Sequence, residues 1–140
     1  MIAEHHTLQC RTQGEGQIID LTERLQSLVA ESGVRTGQAA LMVEGSTAAL
    51  TTLEYEPGLV KHDIAAALER VAPRDALYRH EETWRDDNGH SHVRASLVGP
   101  SLALPIAEGR IPLGTWQQVV LIDEDTRPRH RTVHVGILGV

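Results

Sequence analysis

Phenylalanine is absent, and Trp84, Trp116, Tyr55 and Tyr78 are the only aromatic side chains. A chain that is 41% hydrophobic must therefore build its core from Leu, Val, Ile and Ala. Cysteine occurs once, at Cys10, which excludes an internal disulfide and a zinc knuckle; it reads as a packed strand residue rather than a nucleophile. No apolar run approaches the length of a membrane helix, and residues 1–10 carry Glu4, His5 and His6 where a signal peptide would be apolar. The expectation is a soluble, cytoplasmic protein with no membrane partner. Positive charge is also scarce: 13 Lys and Arg face 19 Asp and Glu, for a net charge of −6. Such a balance offers phosphate polymers no general attraction, so nucleic acid is not expected as a partner. Charge blocks and low-complexity tracts are missing too, which excludes a disordered chain. With 140 residues, one domain over 1–140 can bury roughly two thirds of its unfolded surface.

What is present reads as alternating short elements. Thr7 to Thr12 has strand alternation, with Leu8 and Cys10 on one face, and Gly14 and Gly16 end it. Ile18, Leu21, Leu25, Leu28 and Val29 recur at helical spacing, with Asp20 placed to cap the start and Gly33 the exit. Ala39 to Val43 and Ala48 to Leu53 read as strands. Pro57 then opens a second helix with Val60, Ile64, Ala67, Leu68 and Val71 as its buried stripe, and Pro73 stops it. Residues 74–91 form a long polar connection of the kind that is more often functional than idle. His92 to Val98, Ser101 to Pro105, Trp116 to Asp123 and Thr132 to Leu138 then read as strands. This order predicts an α+β fold, a mainly antiparallel sheet or sandwich carrying two helices.

Four segments carry candidate chemistry. Asp86-Asp87-Asn88-Gly89-His90-Ser91-His92 concentrates carboxylate, carboxamide and imidazole, and on an extended segment His90 and His92 would share a face. A two-histidine metal site, an acid–base pair and a solvated polar turn all fit that pattern. Glu44-Gly45-Ser46-Thr47-Ala48 is a tight turn that either holds an anion on its hydroxyls and N–H groups or is a plain β-turn. Glu54, His62 and Asp63 flank the second helix, either as a functional group or as ordinary charges on an exposed face. In Gly114-Thr115-Trp116-Gln117-Gln118 the Trp can wall a pocket or fill the core. His5, His6, His130 and His134 are isolated and receive no role.

Taken together, Gly45-Ser46-Thr47-Ala48-Ala49-Leu50, Glu54-Tyr55-Glu56-Pro57-Gly58, Asp87 to His92 with Arg94-Ala95-Ser96-Leu97, Ser101 to Pro105 and Gly114 to Gln118 stand in the order of the YjbQ family. The chain resembles that family, known as secondary thiamine-phosphate synthase, along essentially its whole length. The resemblance implies an α+β sandwich, a homotrimer and a polar pocket near subunit boundaries. It also implies an enzyme that joins hydroxymethylpyrimidine diphosphate to a thiazole phosphate with loss of pyrophosphate. By matching position it makes His92, Glu54 and Asp63 the catalytic candidates, and Gly45, Ser46, Thr47, Asn88, Arg94, Ser96 and Gln117 the contacts to a small phosphorylated substrate. Mg²⁺ or another divalent metal would assist the departing pyrophosphate, with His90 and His92 as metal candidates beside a carboxylate such as Glu54. One departure stands out: many members have histidine where this chain has Gly45, and His90 is the residue available to compensate. The alternative expectation is a trimeric module that binds a metal or small anion without this catalysis.

Overall fold

The computed structural model describes residues 1–140. Strand β1 (Ile2–Thr12) is followed by β2 (Gln17–Asp20), α1 (Thr22–Ser32), β3 (Thr36–Val43) and β4 (Ala48–Leu53). A helical segment entered at Pro57 passes through a π-helical turn, Leu59–Asp63, into α2 (Ile64–Val71). Then come α3 (His80–Trp84), α4 (Gly89–Val98), β5 (Ser101–Ala107), β6 (Gln118–Asp123) and β7 (Arg129–Gly139). Two antiparallel sheets face each other, one ordered β1-β7-β3-β5 and the other β2-β6-β4. This is the expected α+β sandwich.

Alternation decides which side chains enter it. Leu8 and Cys10 of β1, Ala39, Leu41 and Val43 of β3, and Val133, Val135 and Ile137 of β7 point inward to meet Val119 and Leu121 of β6. Leu21, the N-cap residue of α1, joins the same core with Leu25 and Val29 on one stripe of the helix, all fully buried. The Asp20 carboxylate accepts the Thr22 N–H at 2.9 Å, and Gly33 ends the helix at φ +74°, both as read from sequence. Replacing Leu25 with alanine is expected to cost about 2–5 kcal/mol in a denaturant titration, because aliphatic neighbours on rigid strands cannot collapse into the space.

The other face of the three-stranded sheet carries Ile18, Val120 and Ile122, covered by Val60 and Ile64 from the π-turn and α2 and by Val98 from α4. Ile18 therefore belongs to β2 and not to the stripe of the first helix. The Glu56 carboxylate accepts the N–H groups of Gly58 and Leu59, both at 2.8 Å, and so starts the helix at Pro57.

Four further expectations need correction. β1 begins at Ile2, since β7 is long enough to pair with it from Gly139 downward. The final turn before β6 leaves Trp116 outside the strand and 73% exposed, so it is not core. The polar connection contains a short helix, α3. Most consequentially, His92 to Val98 is not a strand but the end of α4. Its buried positions, Gly89, His90, Ser91, Arg94 and Ala95, follow a helical period, but three of the five are polar and one is glycine, so no hydrophobic stripe announced it.

Candidate functional site

Three consecutive carboxylates close β6: Asp123, Glu124 and Asp125, each no more than 2% exposed. Asp123 and Asp125 face Arg131, Thr47 and Arg129, whereas Glu124 faces Arg94. Arg131 of β7 meets Asp123 with two parallel hydrogen bonds, Nε to Oδ2 at 2.7 Å and Nη2 to Oδ1 at 2.9 Å. Its Nη2 also donates to Thr47 Oγ1 at 2.6 Å, and Thr12 Oγ1 donates to Asp123. Asp125 accepts from Thr47 Oγ1 at 3.0 Å, Arg129 Nε at 2.7 Å and the Thr126 N–H at 2.7 Å. Burial pushes the Asp125 pKa upward, but the donors from Thr126, Arg129, Asn88 and Thr47 outweigh it and bring it down to about 2. Asp123 is likewise held below its ordinary value despite burial, chiefly by Arg131 and Thr12.

Asn88 ties this network to α4. Its amide lies between two carboxylates, with Nδ2 3.3 Å from Asp125 Oδ1 in one orientation and 3.0 and 3.2 Å from the two Asp86 oxygens in the flipped one. Asp86 in turn pairs with His80 Nδ1 at 2.9 Å, and the His80 ring lies against His92 with centroids 4.3 Å apart. Burial lowers the His92 pKa and His80 lowers it further, against the opposing pull of Asp125, Asp86 and the Ser46 backbone. The Ser96 hydroxyl donates to the His92 carbonyl at 2.7 Å. Between the Gly45–Thr47 turn and α4 opens a cavity of about 210 Å³, lined by Gly45, Ser46, Ala48, Ala95, Ser96 and Pro100.

Helical geometry separates the two histidines. Residues two apart on a helix diverge by about 200°, so His90 and His92 cannot share a face as the strand reading required. His90 faces Tyr78, fully buried, with Nδ1 unpartnered, and burial with the nearby Arg94 lowers its pKa. Arg94 also turns away from the His92 cavity. Its Nε donates to the Ala72 carbonyl at 2.9 Å and its Nη2 pairs with Glu69. Nη1 stands 3.5 Å from Glu124 Oε2 without hydrogen-bond alignment, which leaves that oxygen unpartnered. Burial raises the Glu124 pKa.

The sequence candidates therefore divide. Gly45, Ser46, Thr47, Asn88, His92 and Ser96 come together around one cavity and its supporting network. Glu54 does not join them: it is exposed just beyond the far end of β4, seven residues or about 23 Å of strand from Thr47. Gln117 is at that same end, donating to Thr52 Oγ1 at 3.0 Å beside the Leu53–Gln118 pair. Asp63 is exposed and paired with His62 at 2.8 Å. The metal set of His90, His92 and Glu54 does not fit within this chain, and nowhere do three His, Cys, Asp or Glu groups converge in a metal-holding arrangement.

Sequence reasoning placed Asp86 in the 86–92 constellation but passed over Asp123, Asp125, Arg129, Arg131 and His80. A signal for two of them existed. Continuing the alternation of Ile137, Val135 and Val133 puts Arg131 inside, and continuing Leu8 and Cys10 does the same for Thr12; a buried Arg demands a buried carboxylate, which Asp123 supplies. No helix is long and apolar enough to cross a membrane.

Fold and site together define an α+β sandwich protein with a buried carboxylate–guanidinium network beside a small cavity to which Ser46 and Ser96 contribute the polar side chains. The family model described as UPF0047 protein YjbQ-like matches residues 6–140, and the chain belongs to that family. It is 36% identical over 132 residues to a UPF0047 protein of Methanothermobacter thermautotrophicus, covering 94% of this chain and 90% of the other. It is 32% identical over 134 residues to the UPF0047 protein YugU of Bacillus subtilis, covering 95% and 98%. Among solved structures, a YjbQ/UPF0047 family protein of Clostridium acetobutylicum superposes with a TM-score of 0.85 at 35% identity, covering 95% of this chain and 99% of that one.

Proposed function

We propose that this protein is an enzyme acting on a small phosphorylated molecule in the cavity between the Gly45–Thr47 turn and α4, with His92 as the proton carrier. The reaction is the thiamine-phosphate synthase type: the pyrimidine methylene carbon bonds to the thiazole nitrogen while its bond to the diphosphate oxygen breaks. The observation that carries this reading is the His92 ring, set between the Ser46 backbone and the His80–Asp86 pair, next to Ser46 and Ser96 of the cavity wall. Protonated His92 supplies the proton taken up by departing pyrophosphate.

The assay is thiamine phosphate formation from the two purified precursors with Mg²⁺ at high protein concentration. His92→Ala is expected to lower the rate about a hundredfold. Because burial and His80 lower the His92 pKa, kcat/KM for a general acid falls as pH rises, with a midpoint below the ordinary 6.5. His80→Ala removes a neighbouring cation and is expected to move that midpoint upward. Equal product from wild type and His92→Ala would end this reading.

A second reading is favoured by the distance of Glu54 and the exposure of Asp63. Without those carboxylates the site is a small-anion-binding module, and it would show stoichiometric ligand with no product. Further copies of this chain, three in all, are the expected protein partner. Supporting that is the outward face of the β1-β7-β3-β5 sheet, where Met42 and Leu138 are half exposed beside a groove of about 470 Å³ that includes Ala40 and Gly136. A cytoplasmic location agrees with the single unpaired Cys10.

A further inference from the structure

We propose that the buried Arg131 guanidinium, reached through the side-chain-free face of Gly45, and the N–H groups of Gly45, Ser46 and Thr47 form a receptor for one phosphoryl group. The receptor rests on the function proposed for this cavity, names what holds the substrate's phosphate there, and is testable without turnover.

Arg131 is pinned on two sides. Nε and Nη2 are committed to Asp123 and Thr47, whereas Nη1 makes no hydrogen bond. Nη1 lies where residue 45 would carry a Cβ: an ideal Cβ built there comes 2.6 Å from it. Gly45 has φ +102°, a backbone conformation that side-chain-bearing residues rarely adopt. Any larger residue would cap the free nitrogen, and the bidentate pair with Asp123 prevents the guanidinium from swinging aside. The adjacent turn contributes its own donors. Glu44 N–H is taken by the Thr132 carbonyl and the Thr47 carbonyl by Glu124 N–H, but the N–H groups of Gly45, Ser46 and Thr47 donate to no protein acceptor. Three successive free amides next to a free guanidinium nitrogen supply four donors to one tetrahedral oxyanion. The acidic groups nearest the site are already engaged, Asp123 with Arg131, Asp125 with Arg129, and Glu44 with His134.

The test titrates inorganic phosphate into the full chain and follows backbone amide and arginine side-chain NMR signals, alongside calorimetry of wild type and Gly45→Ala. Phosphate is expected to shift Gly45, Ser46, Thr47 and Arg131, acetate to leave them in place, and Gly45→Ala to weaken binding at least about tenfold. The wild-type NMR map keeps the test decisive if Gly45→Ala fails to fold. Absence of binding, shifts confined to other residues, acetate binding as well as phosphate, or unchanged affinity in a folded Gly45→Ala would each overturn the proposal. Phosphate on the turn of a protein that forms no thiamine phosphate leaves this inference standing and removes the synthase reading; turnover with no phosphate on the turn does the reverse.

Discussion

Arg131→Met is expected to destabilise the protein by about 3–5 kcal/mol, because it strands a charge that water cannot reach. Asp123 is fully buried and receives two of its hydrogen bonds from Arg131. Removing the guanidinium leaves the carboxylate with only the Thr12 hydroxyl and the Asp125 N–H as donors, and it also deprives the Thr47 hydroxyl oxygen of the Arg131 N–H that it accepts. Since a domain of this size has roughly 5–15 kcal/mol in hand, the variant sits close to the folding threshold. Pairing it with Asp123→Asn removes the stranded charge, and the double variant is expected to recover a substantial part of the loss. Urea unfolding of the two single variants and the double variant measures the coupling. A loss below about 1 kcal/mol in Arg131→Met, with no recovery in the double variant, would show that the pair is not structurally coupled as described.

Acid is expected to unfold the protein through the same network. Asp125 titrates at about 2 in the folded chain against an ordinary 3.8, so the folded state holds its proton less tightly than the unfolded state does. A group of that kind contributes stability above its unfolded pKa and loses it as pH falls from about 4 toward 2. For Asp125 this amounts to roughly 2.5 kcal/mol. Asp123 has the same sign and adds to the loss as pH falls below its ordinary 3.8. Glu124 has the opposite sign: burial raises its pKa, so its ionised form costs stability at neutral pH, and the cost is relieved as pH falls through the raised value. His90 and His92, whose pKa values burial lowers, contribute stability that is lost as pH falls below 6.5, so stability measured against pH should decline modestly on first acidification, partly offset by Glu124, and then fall steeply below about pH 4. Glu124→Gln is expected to stabilise the protein at pH 7 and remove that offset while leaving the steep fall. Thermal or denaturant midpoints from pH 7 to 2 give the curve, and a flat profile down to pH 2.5 would contradict the assignment of Asp125.

Much of the fold could be read because it follows from local periodicity. Leu21, Leu25 and Val29 announce α1, and Val133, Val135 and Ile137 announce β7, since each buries an apolar face whose period matches its backbone. α4 escaped because it buries His90, Ser91 and Arg94 instead of forming an apolar stripe. The misread segment carried the chemical error with it: as a strand it would have aligned His90 with His92, and as a helix it divides them between two environments. The site was half legible. Gly45, Ser46, Thr47, Asn88 and His92 lie in two short motifs that the fold brings together, while Asp123, Asp125, Arg131 and His80 come from segments whose meeting no spacing reveals.

By itself, the sequence determined an aliphatic core, the inward and outward faces of its strands, the start and end of α1, the turn at Gly45 and membership of the YjbQ family. Those properties depend on residues close together in the chain or on the kind of side chain present. Tertiary structure alone decided that Arg131 closes on Asp123, that Thr47 bridges Arg131 to Asp125, that His92 rests on His80 and not beside His90, and that Glu54 stands at the far end of its sheet. These are pairings across as many as 84 positions, as between Thr47 and Arg131. They are set by strand register and helix rotation, and a one-residue slip in a strand would send its groups to the opposite face, just as a change in rotation would turn His92 away from His80.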